Sequence, residues 1–260
     1  MNNLIKVAVL GSTGYTGLEL VYILSNHPKI SISFLGSESS SGKSINSFDE
    51  RLKKKSLPIL SSIDKINYSE IDIVFLALPH NVSQQLINDN IGKSRFIDLS
   101  ADFRIDNSKI YKDNYGNEHI CPKFLGEFIY GLPEINYSLI KHANNVAIPG
   151  CYPTSILLPL IPLFKDNLIL GDNIIIDSKS GYSGAGRKFD ITNVIKNKIL
   201  NFYNYNTNHH RHICEVQQEL EKVSNLNIKF SFNPHVLPIF RGMISTIYCD
   251  LNKNIKKNNV

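Results

Sequence analysis

The sequence has none of the marks of a disulfide framework. Its four cysteines, Cys121, Cys151, Cys214 and Cys249, stand far apart with no CxxC pair, which fits a reducing compartment rather than a secreted scaffold. Charge runs are also missing. Charged residues make up 20% of the 260, the formal net charge is only +5, and the densest basic stretch is Lys53-Lys54-Lys55. A solvated loop accounts for that stretch, so no nucleic-acid face is expected. No apolar run is long enough to span a bilayer, and Ile5 to Leu10 is of strand length. There is no internal repeat, and Gly36 to Ser44 lacks the Walker glycine-to-lysine frame. What remains is a globular chain, 42% hydrophobic, with room for one large or two ordinary domains and the cytoplasm as its expected location.

Ile5 to Leu10 is continuously apolar and stops at a glycine, as a buried parallel strand would. The turn Gly11-Ser12-Thr13-Gly14-Tyr15-Thr16-Gly17 follows at once. It leads into a helical pattern from Leu18 to Asn26, ended by His27-Pro28, and then a second strand from Ile30 to Leu35. Strand, glycine turn, helix and strand in this order form the unit that holds a dinucleotide with its pyrophosphate on the helix N-terminus. The spacing is GxxGxxG rather than GxGxxG, so the flanking elements carry as much of the inference as the glycines. The adenosine ribose would lie at Gly36 to Lys43. There Glu38 suits the free hydroxyl of NAD, whereas Ser37, Ser39 and Lys43 suit the extra phosphate of NADP; the balance leans to NADP.

Further strands are expected at Ile71 to Leu78 and Arg95 to Leu99, the second ending in Ser100-Ala101-Asp102-Phe103-Arg104. Arg104 is placed either to clamp a substrate anion or to pair with Asp102 or Asp106. Asn107 to Asn145 reads as an irregular connection. Beyond it come an apolar helix, Ile156 to Phe164, which Pro159 and Pro162 should kink or end, and a strand at Ile174 to Ser178. The loop Ser180 to Lys188 then collects backbone N–H groups, Ser183, Gly184, Arg187 and Lys188, a pattern for phosphate or simply a surface loop. A helix from Val216 to Val223 and two strands, Ile228 to Phe240 and Met243 to Leu251, complete the pattern. The expected architecture is α/β: a Rossmann-type domain over residues 1–150, then an α+β catalytic domain with a mixed sheet over 151–260.

Cys151 stands in Pro149-Gly150-Cys151-Tyr152-Pro153-Thr154-Ser155, just before the apolar helix. The positive end of a helix favours thiolate, which makes Cys151 a candidate nucleophile; the alternative is a small buried turn residue. His210, His212 and Cys214 could share one face of a strand, yet no second ligand pair stands at a usual zinc spacing. A histidine as acid–base partner of a thiol is the better use, so no metal is expected.

Taken in order, Gly11 to Leu20, Asp98-Leu99-Ser100-Ala101-Asp102-Phe103-Arg104, Tyr130-Gly131-Leu132-Pro133-Glu134, Pro149 to Thr154, Ser183 to Lys188, His210-Arg211-His212, Pro234-His235 and Arg241-Gly242 resemble the N-acetyl-γ-glutamyl-phosphate reductases of arginine biosynthesis. The resemblance covers nearly the whole chain and extends to the aspartate-semialdehyde dehydrogenase superfamily. It implies NADPH-dependent reduction of a small acyl phosphate to an aldehyde through a thioester on Cys151, with His210 as acid–base and His212 as the alternate. It also implies an enzyme that assembles into oligomers. Arg104, Arg187, His212 and Tyr205 become candidates for holding substrate; Gly11 to Gly17, Ser37, Ser39, Ser183 and Gly184 become candidates for holding NADP. An aminoadipyl-phosphate-type substrate of lysine biosynthesis is the sister expectation, and an inactive NADP-binding fragment the third. Ser155, Pro159 and Ile213-Cys214 depart from the family pattern without removing a catalytic group. The family's chains continue past this one with a late helix, so a fragment or a shortened form is expected.

Overall fold

Val7 and Val9 pack on one side of the first strand and Ala8 and Leu10 on the other, and all four are fully buried. A strand covered on both faces needs a continuous rather than an alternating apolar run, which is why this segment reads as it does. The computed structural model describes residues 4–187 and 201–253. Lys188 lies outside them. Two compact units are formed, Met1–Lys112 with Asn117–Pro149, and Asp113–Gly116 with Gly150–Val260.

The first unit is built on β1 (Ile5–Leu10), β2 (Ile30–Gly36), β3 (Ile73–Leu76), β4 (Arg95–Asp98), β5 (Ile129–Tyr130) and β6 (Asn145–Ala147). These strands form one sheet in the order β2-β1-β3-β4-β6-β5, with every pair parallel. Helix α1 (Tyr15–Ser25) buries Leu18, Val21 and Leu24 against the face that carries Val7 and Val9. Helix α2 (Val82–Asn90) puts Ile87 into the opposite layer with Phe96 and Phe103. β3 is shorter than the apolar run that announced it.

Residues 107–145 are not the irregular connection expected. They hold α3 (Ser108–Tyr115), β5, α4 (Pro133–His142) and the start of β6. The asparagines that suggested a loop include a cap: Asn107 Oδ1 accepts from Lys109 N at 2.9 Å and Ile110 N at 3.1 Å. Pro133 likewise opens a helix, where its missing N–H costs nothing.

The second unit has a sheet in the order β10-β7-β9-β8, formed by β7 (Ile174–Ser180), β8 (Tyr203–Asn204), β9 (Phe230–Val236) and β10 (Met243–Tyr248). β7 and β9 are parallel while β10 and β8 run antiparallel to their neighbours, so the sheet is mixed. Helix α5 (Cys151–Lys165) packs on α6 (Ile213–Ser224) and on β10. On the other face Ile175 and Tyr248 stand opposite each other in register, with Ile244 further along, all three exposed.

α5 does not end at Pro159 or Pro162: it begins at Cys151 and runs through both prolines to Lys165. Each interior proline costs about 3 kcal/mol, against roughly 1.5–3 kcal/mol for each large apolar side chain buried. Ile156, Leu157, Leu160, Ile161 and Phe164 are all buried, and the prolines lie on the exposed side, where water can serve the carbonyls left without a donor. His210, His212 and Cys214 do not share a strand face: the histidines sit in a turn, and Cys214 is in the first turn of α6.

Candidate active site

In the first unit, the glycine turn joins β1 to α1 with little room to spare. Gly11 has φ +79°, and a Cβ there would meet Ala77 O at 2.2 Å. A Cβ at Gly17 would lie 2.2 Å from Gly11 O, so the helix packs directly on the turn. Gly11 N and Ser12 N both donate to Gly36 O, at 2.9 and 3.1 Å, as does the buried Ser12 hydroxyl at 3.0 Å. Around Gly14, the N-cap, the situation differs: a Cβ would meet only Gly11 O, at 3.5 Å, and Tyr15, Thr16 and Gly17 form the first turn of the helix that follows. First-turn N–H groups lack intrahelical acceptors, so these residues fit a pyrophosphate.

At the end of β2 the Thr13 and Ser37 hydroxyls are 3.1 Å apart. The Glu38 carboxylate is turned into a neighbouring loop, accepting from Ile63 N at 2.8 Å and from the Ser62 hydroxyl at 3.0 Å. The side chain that argued for NAD is thus occupied, while Ser39 and Lys43 are exposed. Arg104, 6% exposed, donates Nε to Ile148 O at 2.7 Å and Nη2 to Leu99 O at 2.9 Å, so it braces backbone within its own unit. The Asp102 carboxylate serves Asn81 N at 2.9 Å and the Tyr111 hydroxyl at 2.7 Å.

The second unit contains a cleft of about 650 Å3. It gathers Cys151, His210, His212, Tyr205 and Gly184 from the sequence candidates and adds Tyr152 and Arg211. Neither Ser183 nor Arg187 is among its described lining. Cys151 is exposed and is the first residue of α5, directly after the N-cap Gly150. The peptide N–H of Gly150 donates to Glu215 Oε1 at 2.8 Å, and Glu215 is fully buried in the first turn of α6. Sequence reasoning missed Glu215. Its one local signal is an acid in a helix's first turn, a common and bland feature.

His210 is 8% exposed and enclosed by rings, with Tyr152 at 5.4 Å, Phe232 at 5.5 Å and Tyr205 at 5.6 Å, all edge to face. His212 N donates to His210 Nδ1 at 3.1 Å, which assigns the proton of the neutral ring to Nε2. The Tyr205 hydroxyl donates to that of Tyr152 at 3.2 Å, and burial pushes both phenols up, away from ionisation.

Burial first, then the Arg211 guanidinium, push His210 down from its ordinary 6.5 to about 4. Between those values the unfolded chain binds a proton that the folded chain does not, so stability declines as pH falls. Urea unfolding of the wild type should lose roughly 2 kcal/mol across that window relative to His210→Gln. The comparison matters because Asp98, pushed up to about 6 by burial, acts in the opposite sense in both chains. Parallel pH slopes for the two chains would refute the assignment.

The loop before Arg187 does not offer the N–H groups its composition promised. Gly181 N, Tyr182 N and Ser183 N donate to Gly242 O, Ile239 O and Phe240 O, at 2.9, 2.9 and 2.8 Å. Gly184 N and Gly186 N donate within the loop, to Gly181 O and Ser183 O. The glycines serve close packing instead, since a Cβ at Gly181 would lie 2.9 Å from Ile239 O. Among the described residues no three His, Cys, Asp or Glu side chains are arranged to hold a metal.

Residues 6–143 match the family model "Semialdehyde dehydrogenase, NAD binding domain", and residues 151–260 match "Semialdehyde dehydrogenase, dimerisation domain". An N-acetyl-gamma-glutamyl-phosphate reductase of Alkaliphilus metalliredigens is 44% identical over 259 residues, which cover 99% of this chain and 75% of that one. The "Probable N-acetyl-gamma-glutamyl-phosphate reductase, chloroplastic" of Arabidopsis thaliana is 41% identical over 252 residues, 97% of this chain and 63% of that one. The chain therefore spans between about three fifths and three quarters of the length of these relatives. In fold it is similar to the aspartate semialdehyde dehydrogenase II of Vibrio cholerae, with a TM-score of 0.72 at 17% identity, covering 97% of this chain and 76% of that one. The enzyme of Candida albicans, solved with NADP, gives a TM-score of 0.60 at 18% identity, covering 97% and 73%.

Proposed function

Because the chain belongs to the N-acetyl-gamma-glutamyl-phosphate reductase family, we propose that it reduces N-acetyl-γ-glutamyl phosphate to N-acetylglutamate 5-semialdehyde with NADPH, a step of arginine biosynthesis. The observation that carries this reading is an exposed thiol on the first residue of α5, sharing a cleft with a neutral histidine. The start of the helix favours thiolate over thiol. The thiolate attacks the acyl carbon, the C–O bond to phosphate breaks, and a thioester forms on Cys151. NADPH, when bound, would supply the hydride that reduces this thioester to the alkoxide form of a thiohemiacetal on Cys151. The C–S bond then breaks, releasing the semialdehyde and restoring the thiolate.

With its proton on Nε2, His210 is a hydrogen-bond donor to the acyl oxygen, on which negative charge develops in both steps. That role differs from the proton abstraction expected of an acid–base histidine, because Nδ1 is already accepting a backbone N–H. The Tyr205–Tyr152 hydroxyl pair, both phenols kept protonated, supplies polar contacts beside the thiol. Gly11 to Gly17, Ser37 and Ser39 would hold the dinucleotide, and the occupied Glu38 favours NADP over NAD. A reducing, cytoplasm-like compartment keeps Cys151 out of a disulfide. The exposed Ile175, Ile244 and Tyr248 suit burial against a second copy of the chain.

The test is oxidation in the reverse direction, with N-acetylglutamate semialdehyde, phosphate and NADP supplied together. Phosphate-dependent formation of NADPH is expected. Binding of NADPH without turnover would replace the reading with an inactive nucleotide-binding protein. Faster turnover of an aminoadipate-type semialdehyde would move the substrate to lysine biosynthesis.

A further inference from the structure

Arg211 carries the permanent charge in the described lining of the Cys151 cleft, where there is no lysine, aspartate or glutamate beside it. Among the described residues its guanidinium has no carboxylate or hydrogen-bond partner, and it lies by the Tyr115 ring, with Cζ 6.0 Å from the ring centroid. Arg51 and Arg104 are engaged differently. Arg51 is held between Glu19 and Asp49, and Arg104 donates to two backbone carbonyls. A side chain with five N–H donors facing a cleft without a counter-charge is suited to an anionic ligand.

Resting on the reductase reading, we infer that Arg211 is the specificity residue that binds the α-carboxylate of the substrate. Two anionic groups are available on an N-acylglutamyl phosphate, and their chemistry separates them. The phosphoryl group departs as the thioester forms, so it cannot orient the acyl chain for the reduction that follows. The α-carboxylate persists through both steps and matches the planar guanidinium fork with two parallel hydrogen bonds. Arg211 is the neighbour of His210 in one turn, so the side chain that polarises the acyl oxygen and the one that holds the far end of the acyl chain are set by the same backbone. The Tyr115 ring limits the conformations of the guanidinium before substrate arrives.

The experiment compares the wild-type chain, Arg211→Gln and Arg211→Lys in the oxidative direction, where semialdehyde and phosphate are separate substrates. In Arg211→Gln, KM for the semialdehyde should rise roughly tenfold to a hundredfold, with partial recovery in Arg211→Lys and KM for phosphate changed by less than about twofold. A rise confined to phosphate overturns the carboxylate assignment, and no rise in either overturns it outright.

A second measurement does not depend on turnover: the rates at which iodoacetate and iodoacetamide alkylate Cys151, followed on the Cys151 peptide. The ratio of the anionic to the neutral reagent should fall at least about fivefold in Arg211→Gln. An unchanged ratio overturns the anion site. A wild-type chain inactive on this semialdehyde but showing the fall in ratio would instead remove the reductase reading and keep Arg211 as an anion-binding residue.

Discussion

Cys151→Ser is expected to lower turnover by roughly four to six orders of magnitude, the range associated with loss of a covalent nucleophile. The serine hydroxyl is almost entirely protonated at neutral pH, and the start of a helix cannot supply the base that would activate it. The same substitution should leave folding intact, because the side chain is exposed and contributes nothing to the packed face of α5. NADPH affinity should also stay within about twofold of the wild type, since the glycine turn belongs to the other unit. Turnover and NADPH titration therefore need to be measured on the same preparation. More than about a hundredth of wild-type turnover in Cys151→Ser would end the thioester mechanism, whereas loss of turnover together with loss of NADPH binding would point to misfolding. A companion variant, Cys214→Ser, removes a thiol that burial pushes up to about 12, and it should change turnover little.

What the sequence reveals of this fold and site depends on how local the physical causes are. The β1–turn–α1–β2 unit is local: apolar runs of strand length, glycines where φ is positive or a Cβ would strike backbone, and a helix closed by His-Pro. Residue type and neighbours likewise suffice to nominate Cys151 and His210, and the two line one cleft. Misreadings arose where tertiary burial overrode local preference. α5 runs through Pro159 and Pro162 because five large side chains on its other face are buried, and no window of sequence shows which face that will be. The asparagines after residue 106 looked like loop because cap and loop draw on the same side chains. Gly181 to Gly186 looked like an anion nest because nothing nearby reveals that residues 239–242 take up several of its N–H groups. Arg187 and Arg104 were favoured for their places beside a glycine loop and at a strand end. Arg211 stands in the cleft because of the turn that carries the two histidines.

Glu215 is the extreme case of a residue whose meaning is non-local: its partner, the peptide N–H of Gly150, is 65 positions away. That contact holds the backbone immediately before the thiol, and Glu215 is therefore expected to act as a positioning residue for Cys151. With Glu215→Ala, the buried donor loses its acceptor and a cavity opens in α6. The expected loss is about 3 kcal/mol of unfolding free energy and about a hundredfold in kcat, because a small displacement of a nucleophile is costly. Glu215→Gln keeps the shape and an acceptor oxygen but gives up the charge-assisted bond, so the expected loss is nearer tenfold in kcat and about 1 kcal/mol in stability. A general weakening of the fold would lower the fraction of folded enzyme in both variants while leaving kcat per folded molecule unchanged. Positioning predicts the reverse. At a temperature where both variants are fully folded by circular dichroism, kcat should still fall in the order wild type, Glu215→Gln, Glu215→Ala, with KM for the semialdehyde much less affected. Equal kcat in all three folded chains would show that the bond between Glu215 and Gly150 holds the fold together without aiming the thiol.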